Sequence, residues 1–174
     1  MTGEIHVRRE RAADEPGVDA LLRRAFPGPA EAGLVACLRR DAQGCTSLVA
    51  ERGGSLTGYI LFSPVTIEDE SASEHRAAIA LGPLAVEPAV QRQGVGLALV
   101  RAGLRTCQDA GEGLVFVLGH PEYYPRFGFR LAAPLGLHYG DGLYDRAFFV
   151  LELREGTLPG PRGRVRYHPA FDGL

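Results

Sequence analysis

Hydrophobic periodicity divides the first part of the chain into a short strand, two helices and a hairpin. The predicted elements are a strand at Ile5–Arg11, a helix from Asp14 to about Ala25, a helix at Ala30–Asp41, and strands at Thr46–Glu51 and Leu56–Ile67. Asp14 is a suitable N-cap residue, and Pro16 suits the first turn of a helix. Gly53 and Gly54 separate the last two strands, which is typical of a hairpin.

The middle of the chain changes to a strand–helix–strand pattern. Ala77–Val86 is apolar enough for a long strand, a helix follows from about Gly94 to Ala110, and Leu114–Leu118 is apolar throughout. A strand that is covered on both faces has this composition. Because such a crossover joins parallel strands, we expect the two strands to pair in parallel near the centre of the sheet.

The remaining segments are predicted as loops, short strands and a tail. They are an acidic loop at Glu68–Arg76, a helical turn within Pro121–Arg126, strands at Phe127–Ala133 and Arg146–Leu153, and a Pro/Gly-rich tail at Gly156–Leu174. Antiparallel strands therefore flank a parallel pair, which predicts a mixed α/β fold with one central sheet. At 174 residues, the chain is expected to form a single domain over residues 1–174.

Composition and charge exclude several classes of protein. Hydrophobic residues make up 45% of the chain and charged residues 23%, which excludes general disorder. The formal net charge of −2 argues against broad binding to nucleic acids or anionic membranes. Met1–Pro16 is charged, and no uncharged run reaches the length of about 20 residues that a membrane-spanning helix needs. We therefore expect a soluble, cytoplasmic protein without a signal peptide.

The cysteines do not indicate a disulfide framework or a metal site. Cys37, Cys45 and Cys107 are odd in number and lack a Cys-x-x-Cys spacing. Cys107 continues the apolar face of the predicted third helix, which favours a buried core thiol over a nucleophile. No metal is therefore expected.

Gln91–Gly96 combines two glycines with the predicted start of a helix. The first amides of a helix have no internal partner, and the helix dipole places partial positive charge on them. Gly94 and Gly96 lack the side chains that would keep a phosphate away, and Arg92 can add a charge-assisted contact. The loop therefore predicts phosphate binding, although an ordinary glycine-rich turn has the same pattern.

Two other phosphate-binding motifs do not match this loop. All nineteen basic residues are arginine, so the lysine of a P-loop is missing. Leu99 lies three residues after Gly96, where the dinucleotide fingerprint needs glycine or alanine. The arginine-only composition is typical of codon bias, and it leaves arginine side chains and backbone amides to bind any anion.

Three segments together resemble the acetyl-CoA site of the GNAT acyltransferases, and they are most similar to the small bacterial YhbS-like branch. The segments are Leu81–Pro88, Gln91–Gly96 and Tyr123–Phe129. The pyrophosphate loop of the family has the form Gln/Arg-x-x-Gly-x-Gly/Ala, and Gln91, Gly94 and Gly96 match it. The resemblance is specific over Leu81–Leu131.

The resemblance implies a GNAT fold and direct transfer of an acetyl group from acetyl-CoA, as co-substrate, to an amine in a ternary complex. It implies that Leu84, Ala85 and Val86 present backbone groups to the pantetheine arm. The pyrophosphate would be bound by the loop residues Gln91, Arg92, Gln93, Gly94, Val95 and Gly96. Pro83 cannot donate to a strand ladder, which suits a strand that diverges from its neighbour.

Tyr124 matches the family tyrosine that is usually assigned as general acid. A phenol with an ordinary pKa of about 10 is protonated at neutral pH and can protonate the departing CoA thiolate. A purely structural position is the alternative for Tyr124, and Tyr123 is predicted to be structural. His120 occupies the region where many GNAT proteins have an asparagine, which this chain lacks. His120 therefore either replaces that cofactor contact or only stabilises a turn.

The sequence identifies neither the general base nor the acyl acceptor. Glu68, Asp69, His75 and His138 lie in segments that can border a site, but none of them is predicted to be the base. We expect an amine of a small molecule or peptide as acceptor, and the dimers common in the family leave a homodimer open. The main alternative is a non-catalytic acyl-CoA-binding or regulatory domain, and a weaker one is a domain that binds another nucleotide.

Overall fold

Three α-helices and nine β-strands occur in the part of the chain that the computed structural model describes, residues 3–69, 71–158, 160 and 162–174. The helices are α1 (Glu15–Ala25), α2 (Ala30–Asp41) and α3 (Val95–Asp109). The strands are β1 (Ile5–Arg9), β2 (Thr46–Arg52), β3 (Ser55–Asp69), β4 (Glu74–Val86), β5 (Leu114–Leu118), β6 (Arg130–Leu131), β7 (Leu137–Tyr139), β8 (Phe148–Glu152) and β9 (Gly163–Arg166). The predicted helices and hairpin are confirmed.

The nine strands of the described residues form one mixed sheet. Seven follow the order β1-β2-β3-β4-β5-β8-β6, while β9 pairs with β3 and β7. β4 and β5 are parallel, with Ile79 opposite Val115 and Leu81 opposite Val117. The pairs β1–β2, β2–β3 and β5–β8 are antiparallel. The predicted mixed α/β fold with a central parallel pair is confirmed.

The described residues divide into two compact units, of which the first combines Met1–Phe62, Pro83–Thr106 and Pro169–Leu174. Its core packs α1 and α2 against one face of β2 and β3, through side chains that include Leu21, Leu38 and Tyr59. α3 packs closely against the opposite face. The contact is so close that neither Gly58 of β3 nor Gly103 of α3 has room for a Cβ atom. Helices therefore cover both faces of the sheet in this unit.

The apolar face of α1 forms as the sequence predicts, but its amino terminus differs. Val18, Leu21 and Leu22 are buried, as the helical spacing requires. The Asp14 side chain does not cap α1. Instead, its carboxylate accepts hydrogen bonds from the Arg11 amide at 2.7 Å and from the Arg8 guanidinium. Asp14 therefore occupies the predicted N-cap position, but its side chain does not cap the helix, because Arg8 of the neighbouring strand supplies a stronger, charged partner.

The second unit comprises Ser63–Gly82 and Cys107–His168. Its core is formed by side chains of β3, β4, β5 and β8, and the rings of Phe116 and Phe148 stack at 5.4 Å. The buried side chain of Cys107 is 1% exposed, which confirms the predicted core thiol. Within the described residues, no α-helix has both the length and the apolar character needed to span a lipid bilayer.

The structure corrects two predictions in the second unit. The predicted loop Glu68–Arg76 is mostly strand, because β3 continues to Asp69 and β4 begins at Glu74. Glu70 lies outside the described residues. The predicted strand Phe127–Ala133 is limited to the two residues of β6, since a 3-10 turn begins at Ala133, next to a proline.

The predicted tail, Gly156–Leu174, contains strand β9, although its residues Pro159 and Pro161 lie outside the described residues. Val165 of β9 pairs with Ile67 of β3 on one side and with Tyr139 of β7 on the other. Gly163 has a φ of +129°, and a Cβ atom there would overlap the carbonyl of Glu68. Long-range pairing therefore orders part of this segment despite its Pro/Gly-rich composition.

Candidate active site

The predicted site residues fall in both compact units. Leu84–Val86 and Gln91–Gly96 belong to the first unit, whereas His120 and Tyr124 belong to the second.

The glycine-containing loop leads directly into α3. Arg92 has a φ of +59°, a left-handed conformation that is uncommon outside glycine, and Gly94 has a φ of +91°. The Ala98 amide donates to the Gly94 carbonyl at 3.0 Å, so Gly94 occupies the N-cap position. The amides of Val95, Gly96 and Leu97 consequently have no partner within the helix and carry the positive end of its dipole. This arrangement suits a phosphate anion.

Arg52, at the end of β2, also contacts the loop, and sequence reasoning missed it. Its Nη1 donates to Oε1 of Gln93 at 2.6 Å, and its Nε donates to the Gly3 carbonyl at 3.0 Å. Gln91 is anchored separately, because its Nε2 donates to the Val86 carbonyl at 3.3 Å. Arg52 therefore places a second guanidinium beside the loop, in addition to the exposed Arg92.

β4 continues beyond its pairing with β5. The parallel ladder ends at Leu81 opposite Val117, whereas the strand runs to Val86. Gly82 has a φ of +151°, and Pro83 follows with no amide hydrogen to donate. The hydrogen-bonded ladder between β4 and β5 therefore ends just before Pro83, where the sequence predicted that β4 diverges from its neighbour. Along the last part of β4, Ala85 is buried, and Leu84 and Val86 are half-buried.

Tyr124 begins a 3-10 turn, Tyr124–Phe127, in the second unit. Gly128 ends the turn in a left-handed conformation with a φ of +94°, which explains why a glycine lies four residues after Tyr124. The Tyr124 side chain is 7% exposed and packs edge-on against Phe129 at 5.7 Å. A Cβ atom on Gly119 would overlap the Tyr124 ring, so only glycine leaves room for it there.

Burial also controls the protonation of Tyr124. Loss of solvation raises the pKa of Tyr124 above its ordinary value, and the neighbouring Tyr123 raises it further. The phenol therefore stays protonated throughout the neutral pH range and can act as a proton donor.

Tyr123 has structural contacts. The Arg126 Nε donates to the Tyr123 carbonyl at 2.9 Å, and the guanidinium lies 4.6 Å from the centre of the Tyr123 ring. The rings of Tyr123 and Phe127 pack edge-on at 5.4 Å. These contacts fix the turn that carries Tyr124.

His120 is exposed and contributes to the same turn through its backbone. Its carbonyl accepts a hydrogen bond from the Tyr123 amide at 3.0 Å. This contact matches the turn-stabilising role considered for His120. A contact between its side chain and the cofactor stays a prediction.

Glu68 and Asp69, which lie in a segment that can border a site, already have hydrogen-bond partners. A hydrogen bond from Arg166 lowers the pKa of Glu68, and hydrogen bonds from Ser71 lower the pKa of Asp69. A carboxylate with a lowered pKa is a weaker base. His138 lies 3.1 Å from the Asp145 carboxylate through its Nδ1. The geometry therefore does not favour Glu68 or Asp69 as the general base.

The mixed sheet with its parallel pair, and the glycine-containing loop before α3, can be compared with those of known protein families. The sequence model of the acetyltransferase (GNAT) family matches residues 16–129. The chain belongs to this family and is a GNAT-type N-acetyltransferase, which confirms the prediction from the sequence.

Two relatives from Escherichia coli K12 are similar in sequence. The uncharacterized N-acetyltransferase YhbS is 40% identical over 167 residues, which cover 95% of this chain and 98% of YhbS. The uncharacterized N-acetyltransferase YjhQ is 41% identical over 123 residues, which cover 70% of this chain and 67% of YjhQ. The predicted similarity to the YhbS-like branch is confirmed.

Two solved structures match over nearly the whole chain. E. coli YhbS in complex with CoA has a TM-score of 0.90 and 38% identity, covering 99% of this chain and 94% of that chain. A GNAT family acetyltransferase from Brucella melitensis in complex with acetyl-CoA has a TM-score of 0.78 and 32% identity, covering 98% of this chain and 100% of that chain.

Proposed function

We propose that this protein transfers the acetyl group of acetyl-CoA to an amine of a small molecule or peptide, by direct transfer in a ternary complex. The observation that carries the proposal is the amino terminus of α3, where the first amides have no partner within the helix and Arg52 contacts the preceding loop at Gln93. The CoA and acetyl-CoA complexes of the two similar structures support the same ligand.

The residues present fit such a ligand. The amides at the start of α3 and the two guanidiniums suit a pyrophosphate, which carries negative charge but needs no lysine. Leu84, Ala85 and Val86 would offer backbone groups to the pantetheine arm, because the ladder with β5 has ended before them. His120 would supply a polar side chain in place of the missing asparagine.

We assign the role of proton donor to Tyr124. Acetyl-CoA would supply the activated thioester, and the protein must then protonate the sulfur that leaves. Tyr124 holds its proton because burial raises its pKa. Gly119 and Phe129 restrict its ring, so the hydroxyl is positioned before substrate binds. An amine acceptor that arrives neutral can lose its proton to water, so no dedicated base is required.

Thermal-shift measurements with acetyl-CoA, ATP and NAD test the ligand, and release of CoA thiol across amines, amino acids, aminoglycosides and peptides tests the reaction. We expect stabilisation by acetyl-CoA alone and thiol release with at least one amine. Stabilisation by ATP or NAD but not by acetyl-CoA would contradict the proposal. Binding of acetyl-CoA without turnover across the panel would favour the non-catalytic alternative.

A pair of glycine variants separates the loop from general strain. Gly94→Ala and Gly111→Ala both place a side chain at a left-handed φ, +91° and +86° respectively. Both should lower the melting temperature by a similar amount. Only Gly94→Ala should abolish stabilisation by acetyl-CoA, because only Gly94 lies at the start of α3.

A further inference from the structure

The second unit carries a cluster of aromatic side chains that the proposed cofactor binding does not use. This aromatic cluster consists of Tyr139, Tyr144, Phe148 and Tyr167. Tyr139 is central, with its ring centre 5.6 Å from that of Tyr144, 5.8 Å from Phe148 and 4.9 Å from Tyr167. Phe148 is fully buried, whereas Tyr144 is 45% exposed. The cluster therefore joins the core on one side and presents ring surface to solvent on the other.

The aromatic cluster lies close to Tyr124. The Gly119 amide donates to the Ala147 carbonyl at 2.9 Å, which ties the end of β5 to the start of β8. Gly119 contacts the Tyr124 ring, and Phe148 follows Ala147. Burial and the nearby Tyr139 and Tyr124 together raise the pKa of Tyr167, which is consistent with this proximity.

Two exposed apolar residues, Leu118 and Leu143, lie next to the aromatic cluster across the sheet or along the chain. Leu118 is 38% exposed and pairs across the strands with Phe148. Leu143 precedes Tyr144 and is 77% exposed. Two acidic side chains of this segment already have partners: Asp145 contacts His138 at 3.1 Å, and Asp141 accepts a hydrogen bond from the Leu143 amide at 3.3 Å. Single exposed apolar residues are ordinary on protein surfaces, but here they border one aromatic cluster beside the proposed proton donor.

We propose that the aromatic cluster binds the body of the acyl acceptor, and that this acceptor is a primary amine with an aromatic or flat apolar body. The inference rests on the proposed acetyl transfer, because it takes Tyr124 to mark the reacting atoms. Offset or edge-on contacts with tyrosine rings stabilise an aromatic body. A polyhydroxylated acceptor would leave polar groups unpaired against the same surface, which is unfavourable.

The test compares three amines with the intact protein and acetyl-CoA. 2-Phenylethylamine carries an aromatic body, ethanolamine a polar one, and spermidine additional positive charge. We expect the kcat/KM for 2-phenylethylamine to be at least about 10-fold higher than for the other two, as the loss of aromatic contacts implies. A preference for ethanolamine would overturn the inference. A preference for spermidine would do so as well, since it would show that the rings select charge through cation–π contacts.

Variants of Tyr144 connect the preference to the cluster. Tyr144→Ala should raise the KM for 2-phenylethylamine about 3- to 10-fold with little change in kcat, whereas Tyr144→Phe should keep the wild-type KM. Leu174→Ala is the control, because Leu174 is an exposed apolar residue of the first unit, 58% exposed. If Tyr144→Ala does not fold, Tyr144→Leu removes the ring while keeping apolar volume.

The readouts separate failure of this inference from failure of the proposed function. Stabilisation by acetyl-CoA should be the same in the wild type and in all Tyr144 variants. An unchanged KM in Tyr144→Ala or Tyr144→Leu, together with normal acetyl-CoA binding, would overturn the assignment of the cluster alone. Absence of acetyl-CoA binding in the wild-type protein would instead overturn the proposed function and, with it, this inference.

Discussion

Tyr124 shows how single residues set the position and the protonation of a candidate catalytic group. The absence of a side chain at Gly119 gives its ring a place, and the left-handed conformation of Gly128 ends the turn that presents it. Phe129 then packs against the ring and helps to exclude water. The same burial that restricts the phenol also keeps its proton bound, since it raises the pKa of Tyr124.

Removal of the Tyr124 hydroxyl should reduce turnover and leave cofactor binding intact. Tyr124→Phe keeps the ring and its edge-on contacts but removes the hydroxyl that we propose as proton donor. We expect kcat to fall about 100-fold or more, with the dissociation constant of acetyl-CoA changed less than about 2-fold. Steady-state kinetics and calorimetric titration with acetyl-CoA measure the two quantities.

Tyr123→Phe is the matched control for that prediction. It removes a hydroxyl from the adjacent tyrosine, whose observed contacts involve its ring and its carbonyl. Turnover should therefore stay close to wild type. Equal losses of turnover and acetyl-CoA affinity in Tyr124→Phe would identify Tyr124 as a packing residue.

Arg52 should strengthen cofactor binding through its charge and through Gln93. Arg52→Gln removes a guanidinium that donates to the Gln93 side chain at 2.6 Å. We expect the dissociation constant of acetyl-CoA to rise about 3- to 10-fold, with a smaller difference at high salt. Arg105→Gln removes the same charge from an exposed position further along α3 and should have little effect. Equal effects of both substitutions would show that only net charge matters.

Helices α2 and α3 each contain an internal glycine, and the structure predicts opposite effects for the two. Gly33 of α2 is exposed and has open space where a Cβ atom would lie, whereas a Cβ on Gly103 of α3 would lie 2.6 Å from Cζ of Phe62. Gly33→Ala should raise the free energy of unfolding by about 0.5–1 kcal/mol. Gly103→Ala should lower it by about 1–3 kcal/mol through overpacking. Urea unfolding measures both, and a stabilising Gly103→Ala would contradict the packing of α3 on β3.

Elements with strong local patterns could be predicted from the sequence, and those made by distant pairing could not. α1, α2 and the β4–α3–β5 crossover each carry a periodic or continuous apolar pattern. β9 contains one buried apolar residue, Val165, and its partners in β3 lie far away in the chain. β7 is three residues long. Because their stability comes from the partner strands, their own residues give too little signal.

The residues of the candidate site also differ in how far the sequence alone predicts them. Gln91–Gly96 and Tyr124 belong to short motifs with fixed spacing, so the sequence alone predicted them. Arg52 belongs to no motif and meets Gln93 only because the hairpin of β2 and β3 ends beside the loop. The sequence did contain one signal for Arg52, the predicted hairpin at Gly53. If β3 is antiparallel to β4, the start of β3 lies beside the carboxyl end of β4, and the hairpin therefore lies close to the loop that follows β4.

At the scale of the whole molecule, several arginine side chains form ion pairs within the protein. The Arg8 guanidinium bridges two carboxylates, at 2.7 Å from Asp14 and 2.5 Å from Glu51, and so connects β1, β2 and the segment before α1. Arg24 contacts Glu87 at 2.7 Å, after the end of β4. A net charge of −2 is compatible with the proposed anion-binding loop, because the amides at the start of α3, with Arg52 and Arg92, would supply local positive potential.

The Arg8–Asp14 pair should make global stability depend on pH in acid. Arg8 lowers the pKa of Asp14 from 3.8 to about 2 in the folded protein, so the folded state binds this proton less readily than the unfolded state. The stabilisation is fully present above pH 3.8 and is lost as the pH falls through about 2. We expect Asp14→Asn to lower the free energy of unfolding by about 1–2 kcal/mol at pH 6, and the difference from wild type to shrink below pH 4. Urea unfolding between pH 6 and 3 measures this difference.

Asp19→Asn is the control, because it removes the exposed Asp19–Arg23 pair. Its free energy of unfolding should differ little from that of the wild type at pH 6 or at pH 3, because exposed ion pairs contribute little to stability. A difference between wild type and Asp14→Asn that stays constant down to pH 3 would mean that Asp14 stabilises the fold without its charge.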